Sequence, residues 1–490
     1  MLSRLGSSIL VGLACLWSAA TASRAQSAAK PNVLFLFADD YCFEALQAFG
    51  DRVVETPNLD RLVARGTTFT HAYNMGSWSP AVCIASRTML VTGRSVWLAQ
   101  AAHASLEKER GAGNLWPQLL AVAGYRTYMT GKWHLPIEAE STFDETTHVR
   151  PGMPKDTPEA YSRPVDGQPD SWNPADPKFG GFWDGGKHWS EVTADDTIAF
   201  LKKAAENQDT PFFIYGAFNA PHDPRQAPQA YLDKYPLERV ATPVNFLGKY
   251  PYAEEMGSGV ELRDEKLAPF PRTEKSVRTH RREYYALITH LDAQIGRILA
   301  ALDASGQAAN TWIFFTADHG LAVGQHGLMG KQNMYDHSVR VPFIVAGPGV
   351  KAGGKVSAPI YLQDVMATTL DLAGVVKPAH VYFQSLLPFL RDSRKQGYYA
   401  DIYGSYLDRQ RALTHDGYKL ILYPQGRIAR LYRVSKDPHE SKDLAGDPTQ
   451  RPRMRELFAR LLVQQSELND TLDLVSVYRE LAAAQPLRAK

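Results

Sequence analysis

The stretch PNVLFLFADD, Pro31 to Asp40, decides how the rest of the chain is read. Its apolar and aromatic run from Val33 to Phe37 is too short for an ordinary helix and stops abruptly at two carboxylates, which is the pattern of a strand buried on both faces. Similar runs recur at Arg126–Thr130, Phe212–Phe218, Trp312–Thr316 and Pro342–Ala346. Helical periodicity lies between them. TPNLDRLVARG places Leu59, Leu62 and Val63 on one face and ends at Gly66. REYYALITHLDAQIGRILAALDASG repeats Leu287, Leu291, Ile295, Ile298 and Leu302 at helical spacing before Gly306. Doubly buried strands alternating with helices predict an α/β fold: a large, mostly parallel (mixed) central sheet with helices on both faces.

From about Gly397 the pattern changes. DIYGSYLDR, YKLILYP and ARLYRVS alternate like antiparallel strands joined by Gly and Asp turns, and PRMRELFARLLVQQ is an amphipathic helix. The expected division is a large α/β domain over 26–396 and a small C-terminal antiparallel sheet with a helix over 397–490. Two Pro- and Gly-rich stretches, about Pro151 to Gly186 and Arg239 to Arg272, lack either periodicity, and loops of that length usually carry function.

The first residues, MLSRLGSSILVGLACLWSAATASRAQ, place Arg4 before an apolar run and small residues, with cleavage expected after Ala22 or Ala25. This reads as a signal peptide over 1–25 and predicts export to the periplasm or the cell exterior. Gly12-Leu13-Ala14-Cys15 also loosely matches a lipoprotein cleavage box, which would give a lipid-anchored protein. Removing a segment that holds Arg4 and Arg24 takes the formal charge from +2 to zero, so no basic field is left to attract nucleic acid. With 44% hydrophobic and 22% charged residues, the chain has the composition of a globular protein. Cys42 and Cys83 remain after cleavage, too few for a disulfide scaffold. By themselves they would read as one disulfide or two buried thiols.

Polar residues gather at the strand ends. VLFLF runs into Asp39 and Asp40, YMTGKWH into Lys132 and His134, FFIYGAFNAPH into His222, and WIFFTADHG into Asp318 and His319. In open α/β sheets the crevice beyond the C-terminal strand ends is the usual binding site. Asp39 and Asp40 would face opposite ways in a continued strand, so the backbone must leave strand geometry for both to reach one ion. Three carboxylates favour Ca²⁺ or Mg²⁺ over a soft metal. In SPAVCIASRTMLVTGR, Cys83 and Arg87 share one face of a helix beginning near Pro80, whose positive N-terminal end suits an anionic nucleophile and substrate.

Cys83-Ile84-Ala85-Ser86-Arg87 followed by Thr92-Gly93-Arg94 resembles the signature of the type I sulfatases of the alkaline phosphatase superfamily. PNVLFLFADD, GKWHL, FNAPHDP, HLDAQIGRIL, TADHG, GKQNMYDHSVRVPFIVAGPG and LYRVSKDPHESKDLAGDP extend the likeness from about Pro31 to Asp447, in the family's order. The resemblance implies a hydrolase of sulfate esters whose Cys83 is oxidised to formylglycine, a 3-oxoalanine whose hydrate supplies the nucleophile. It further implies Asp39, Asp40, the modified Cys83, Asp318 and His319 as ligands of one divalent cation, Ca²⁺ before Mg²⁺. Arg87 and Lys132 would hold the diol, and His134 would act as base for its collapse. Lys132, His222 and Lys331 would bind the substrate's sulfate, with His222 the acid for the leaving alcohol. Ala85 stands where proline is commonest, a variant that resembles substrates of radical-type maturases. His319 stands where many relatives have asparagine.

Three alternatives stay open on the sequence: a phosphodiesterase or phosphonate monoester hydrolase of the same superfamily, a two-zinc phosphatase, and a sulfated-glycan binding protein without turnover. The expected substrate is a sulfated carbohydrate. Tyr161, Trp172, Trp183 and Trp189 offer rings to sugar faces and Arg150, Lys187 and His188 offer charge to acidic groups, although packing of the loops explains the aromatic residues as well.

Overall fold

The computed structural model describes residues 30–154, 157–179, 183–391 and 397–482. The expected signal segment 1–25 lies outside the described residues. An eight-stranded sheet forms the centre, in the spatial order Gly354–Val356, Thr67–Phe69, Phe343–Ala346, Thr311–Ala317, Asn32–Ala38, Phe212–Ala217, Arg126–Lys132, Glu145–Arg150. Only Phe343–Ala346 runs against the others, so the sheet is mixed but mostly parallel. The five anticipated strands are all present. The short edge strands were not anticipated, because three to six residues carry too little pattern to stand out from loop sequence.

Every residue of Asn32–Ala38 is buried, which is why the strand reads as continuously apolar. Phe35 packs edge-on to the fully buried Trp116 of the helix Trp116–Val122. On the opposite face Gly216 leaves room for Thr197 of the helix Trp189–Ala205, with Leu36 beside it. Each Leu, Val or Phe taken from full exposure into such a core contributes roughly 1.5–3 kcal/mol. The helix Glu274–Ala304 is the longest among the described residues and carries the expected Leu and Ile stripe. It begins at a reciprocal cap, with Thr273 Oγ1 accepting from Ser276 N at 3.1 Å and Ser276 Oγ from Thr273 N at 3.2 Å.

The C-terminal segment forms the expected antiparallel sheet, Ile402–Tyr406, Gln410–His415, Tyr418–Tyr423 and Ile428–Tyr432, packed against the helix Arg451–Leu468. Gln410–His415 was not singled out in the sequence. A fifth strand, Gly76–Ser77, joins in parallel from far earlier in the chain, just before the Cys83 helix.

Candidate active site

The four central strands deliver their polar ends to one place. Asp39 follows Asn32–Ala38, and Asp40 adopts φ +64°, so the chain leaves strand geometry between the two carboxylates as their convergence demands. Asp40 N then donates to Asp318 Oδ1 at 3.2 Å, and Asp318 follows the neighbouring strand directly. Lys132 closes its own strand after Gly131, whose φ is +89° and where a Cβ would lie 1.8 Å from the Ala217 carbonyl oxygen, so only glycine fits.

Cys83 is the second residue of the helix Val82–Thr92, buried at 2% exposure, and Arg87 lies on the same face. No side chain caps this helix; Val82 N donates to the Pro80 carbonyl at 3.1 Å and Ile84 N to that of Ala81 at 3.0 Å, and Cys83 between them sits at the positive end of the helix. Arg87 Nε donates to Asp318 Oδ2 at 3.1 Å, and Nη1 to the Lys132 carbonyl at 2.7 Å. Lys132 Nζ pairs with Asp39 Oδ2. Lys331 Nζ donates to Asp40 at 2.9 and 3.0 Å and stands 3.5 Å from Cys83 Sγ, while His319 Nε2 approaches the same sulfur at 3.4 Å and Asp40 Oδ1 at 3.2 Å.

His222 is held in one tautomer. Its Nδ1 lies 2.6 Å from the Asp223 carbonyl oxygen and must donate there, which leaves Nε2 to accept from Lys331 Nζ at 3.0 Å. Burial, then Lys331, keeps His222 well below the ordinary histidine range and therefore neutral. Burial and Asp39 push the Cys83 thiol up, but Lys132 and Lys331 outweigh them and the net direction is down. Burial pushes Asp40 up. Burial would depress His319, yet Asp318 and Asp40 raise it to about 9.

His134 adopts φ +58° after the Lys132 strand and has a buried Nδ1 without a hydrogen-bond partner among the described residues. It lines a cavity of about 550 Å³ together with Ile84, His103, Trp133, Glu138 and Arg150. Ile84 adjoins Cys83 in the chain, so this cavity opens beside the charged centre.

The donor set fits a divalent cation. Asp39, Asp40, Cys83 and His319 each place a ligand atom within 4.8 Å of the others, all are buried, and Asp318 stands beside them. Asp39 Oδ1 is buried without a hydrogen-bond partner among the described residues and has the Arg87 guanidinium only at 4.0 Å, so it keeps lone pairs for a closer cation. Both thiols, Cys42 and Cys83, are free and buried.

Several supporting residues were not foreseen. Asn74 Nδ2 and Ser86 Oγ donate to the Asp318 carbonyl at 2.6 and 2.7 Å, and Tyr284 Oη donates to that of Asp40 at 2.7 Å. Ser86 lies inside the quoted motif, whereas Tyr284 hides in a helix whose apolar stripe makes it look like core. Of the loop aromatics, Trp172 stacks on Phe179 at 4.6 Å, Trp189 lies under Arg150 at 4.5 Å and Trp183 meets His188 edge-on, so they pack the loop as the plainer reading had it. Arg150 pairs with Asp184, Lys187 with Asp195 at 2.8 Å, and His188 is buried with Nε2 2.9 Å from the Gln226 carbonyl. Tyr161 Oη accepts from Arg263 at 3.0 Å, and Arg263 also pairs with Asp223 beside His222.

The family model described as sulfatase matches residues 31–375, and the one described as the C-terminal part of N-sulphoglucosamine sulphohydrolase matches residues 324–467. The chain is similar to the N-acetylglucosamine-6-O-sulfatase of Bacteroides thetaiotaomicron, 26% identical over 95% of this chain and 91% of that one. A solved structure in complex with D-glucosamine-2-N,6-O-disulfate shares the fold at TM-score 0.70 and 23% identity, over 90% of this chain and 99% of that one. The phosphonate monoester hydrolase of Agrobacterium radiobacter shares it at TM-score 0.67 and 21% identity, over 89% and 96%.

Proposed function

The chain belongs to the sulfatase family and is a sulfuric ester hydrolase, and on that premise we propose that it desulfates a carbohydrate through a formylglycine made from Cys83. The observation that carries the mechanism is the setting of Cys83. A buried side chain at a helix start, faced by Lys331 and His319 and ringed by Asp39, Asp40 and Asp318, is a poor place for an inert thiol and a good one for an oxygen nucleophile.

In this reading one hydroxyl of the hydrated aldehyde, its proton lost to solvent beforehand, attacks sulfur as the alkoxide and the bond from sulfur to the sugar oxygen breaks. The Lys331–His222 pair protonates the departing alcohol. Lys331 holds the proton, because His222 Nε2 accepts from it. His134, neutral and short of a partner at Nδ1, removes the proton of the second hydroxyl. The C–O bond to the sulfate then breaks, sulfate departs with the bonding pair, and the aldehyde re-forms for hydration. Arg87 and Lys132 hold the surrounding carboxylates in register. A divalent cation, Ca²⁺ before Mg²⁺, would be held by Asp39, Asp40, Asp318, His319 and the modified side chain, and would supply charge neutralisation and a lowered nucleophile pKa.

The carbohydrate assignment rests on the names of the relatives and on the cavity beside His134, whose volume of about 550 Å³ suits a small ligand such as one sugar unit. The reading includes export through the segment 1–25 and maturation by a radical-type enzyme acting on the Ala85 form of the motif. The test is mass spectrometry of the tryptic peptide Gly66 to Arg87 from natively produced protein, followed by sulfate release from sulfated sugars, aryl sulfates and phosphonate monoesters. Formylglycine with preferential release from sugars is expected. An intact thiol in fully active protein would sink the mechanism, and preferential phosphonate cleavage would sink the substrate class.

A further inference from the structure

A second cavity, of about 660 Å³, is lined by Trp78, Trp97, Gln100, Arg409, Asn469 and Asp473 among others. Trp78 follows the strand Gly76–Ser77 and precedes Cys83 by five residues. The C-terminal sheet fixes this approach, since Leu407 N donates to the Ser77 carbonyl at 2.9 Å. Trp97 is clamped as well. Its Nε1 donates to Tyr403 Oη at 3.1 Å, and the Arg411 guanidinium covers the ring at 4.8 Å. Both indoles are only half-buried.

One ring contact links the linings of the two cavities. The Trp78 ring lies 6.0 Å from that of His103, and His103 lines the cavity beside His134. His103 also touches the nucleophile helix, its Nδ1 lying 3.1 Å from Thr88 Oγ1. The polar character of the second cavity differs from that of the first. Arg411 is locked to Asp470 at 2.7 and 2.8 Å, and Arg409 Nε stands 3.7 Å from Asp408, so both guanidinium groups have a carboxylate beside them. Asp473 adds negative charge. Carboxylates outweigh the paired guanidinium groups at this rim, which disfavours a sulfated unit, whereas a neutral sugar would meet the half-buried Trp78 ring, the edge of Trp97 that Arg411 leaves uncovered, and amide and carboxylate oxygens.

We propose that the Trp78–Trp97 cleft is a second saccharide subsite, which binds an unsulfated sugar unit of the same glycan whose sulfated unit reacts at Cys83. The inference rests on the sulfatase reading and adds to it a preference for chains in which sulfated and unsulfated units neighbour one another. The enzyme thereby reads beyond the unit it desulfates.

The test compares kcat/KM on a monosaccharide sulfate with that on oligosaccharides of two to six units bearing alternating or complete sulfation. Alternating oligosaccharides should exceed the monosaccharide by about 10-fold, the worth of one well-placed ring contact. Trp78→Ala should erase that gain and Trp78→Phe should keep most of it, at unchanged melting temperature. A wild-type enzyme equally fast on one unit and on four, or a folded Trp78→Ala variant that keeps the gain, overturns the subsite and leaves the sulfatase reading standing. A binding measurement separates the two further. Tryptophan fluorescence of Cys83→Ala should shift with an unsulfated tetrasaccharide and not in the Cys83→Ala/Trp78→Ala double variant. Absence of any shift overturns the proposal even if no ester is ever turned over.

Discussion

Two clusters of buried charge lie close together in the chain, and they are built to opposite specifications. In one, Lys419 donates to the Met334 carbonyl at 3.1 Å, pairs with Asp336, and stands 2.7 Å from Glu440, which also takes the Asp336 backbone N–H at 2.7 Å. Arg340 completes it at 3.3 Å from Asp336. That cluster is closed in charge, since each member has an opposite charge within 3.3 Å. In the other, Asp39, Asp40 and Asp318 face Arg87, Lys132 and Lys331, yet Asp39 Oδ1 and Arg87 Nη2 stand as far as 4.0 Å apart, each buried without a hydrogen bond among the described residues, and Cys83 Sγ is shared at long range by two donors. Closure stabilises a fold, whereas open valence at the same depth is what a cation, a nucleophile and an anionic substrate need.

The largest expected difference is in rate. Cys83→Ala should lower kcat/KM by roughly 10⁴-fold or more, as loss of a covalent nucleophile does, while leaving denaturant stability nearly unchanged. Lys419→Met should do the reverse. Leaving Asp336 and Glu440 buried without their shared cation should cost about 3–5 kcal/mol in denaturant unfolding, with the folded fraction still active. A Lys419→Met protein as stable as the parent would mean that the closed cluster is no staple and would dissolve the contrast.

Cation removal sharpens the same comparison at an intermediate scale. If the open cluster holds a divalent ion at about 100 times its Kd, chelation should lower unfolding stability by about 2.7 kcal/mol and abolish turnover, with Ca²⁺ restoring both. Asp39→Asn should blunt that response, and Lys419→Met should leave it intact. Stability and activity indifferent to chelation would remove the cation from the reading.

The strand ends were legible because burial forces apolar runs, and a charge set directly after such a run has few places to go but the crevice beyond it. Asp39, Asp40, Lys132, His222 and Asp318 announced themselves that way, and the left-handed turn at Asp40 follows from two adjacent carboxylates needing one focus. The second-rank contacts were not legible. Asn74, Tyr284 and Gln332 act through hydrogen bonds to backbone carbonyls brought from distant parts of the chain, as when Gln332 Nε2 reaches the Pro80 carbonyl at 2.9 Å just before the nucleophile helix. No local periodicity encodes such a bond. The aromatics show the same limit. Trp172 and Trp189 drew notice for lying in long loops, yet they are occupied in packing, while Trp78 and Trp97 flank a cleft formed only when Gly76–Ser77 joins the C-terminal sheet.

The smallest expected effect concerns His134, which belongs to the open region without being a proposed ligand. Burial, then Lys132 and Arg87, lowers its pKa from 6.5 to about 3. Above pH 6.5 the imidazole is neutral in both folded and unfolded chains, and the stability tied to its neutrality is fully present. As pH falls below 6.5, the unfolded chain takes up a proton that the folded one refuses, so stability declines until about pH 3, where both are protonated. The slope from this one group is at most about 1.4 kcal/mol per pH unit, reduced where solvent reaches the ring. His134→Gln removes the titration while keeping a neutral polar side chain. Between pH 6 and 4 its unfolding stability should therefore fall less steeply than that of the parent. Parallel slopes would show that His134 titrates at its ordinary value, and a base half-protonated near pH 6.5 would then have to impose its own acid limb on the rate, which a neutral His134 does not.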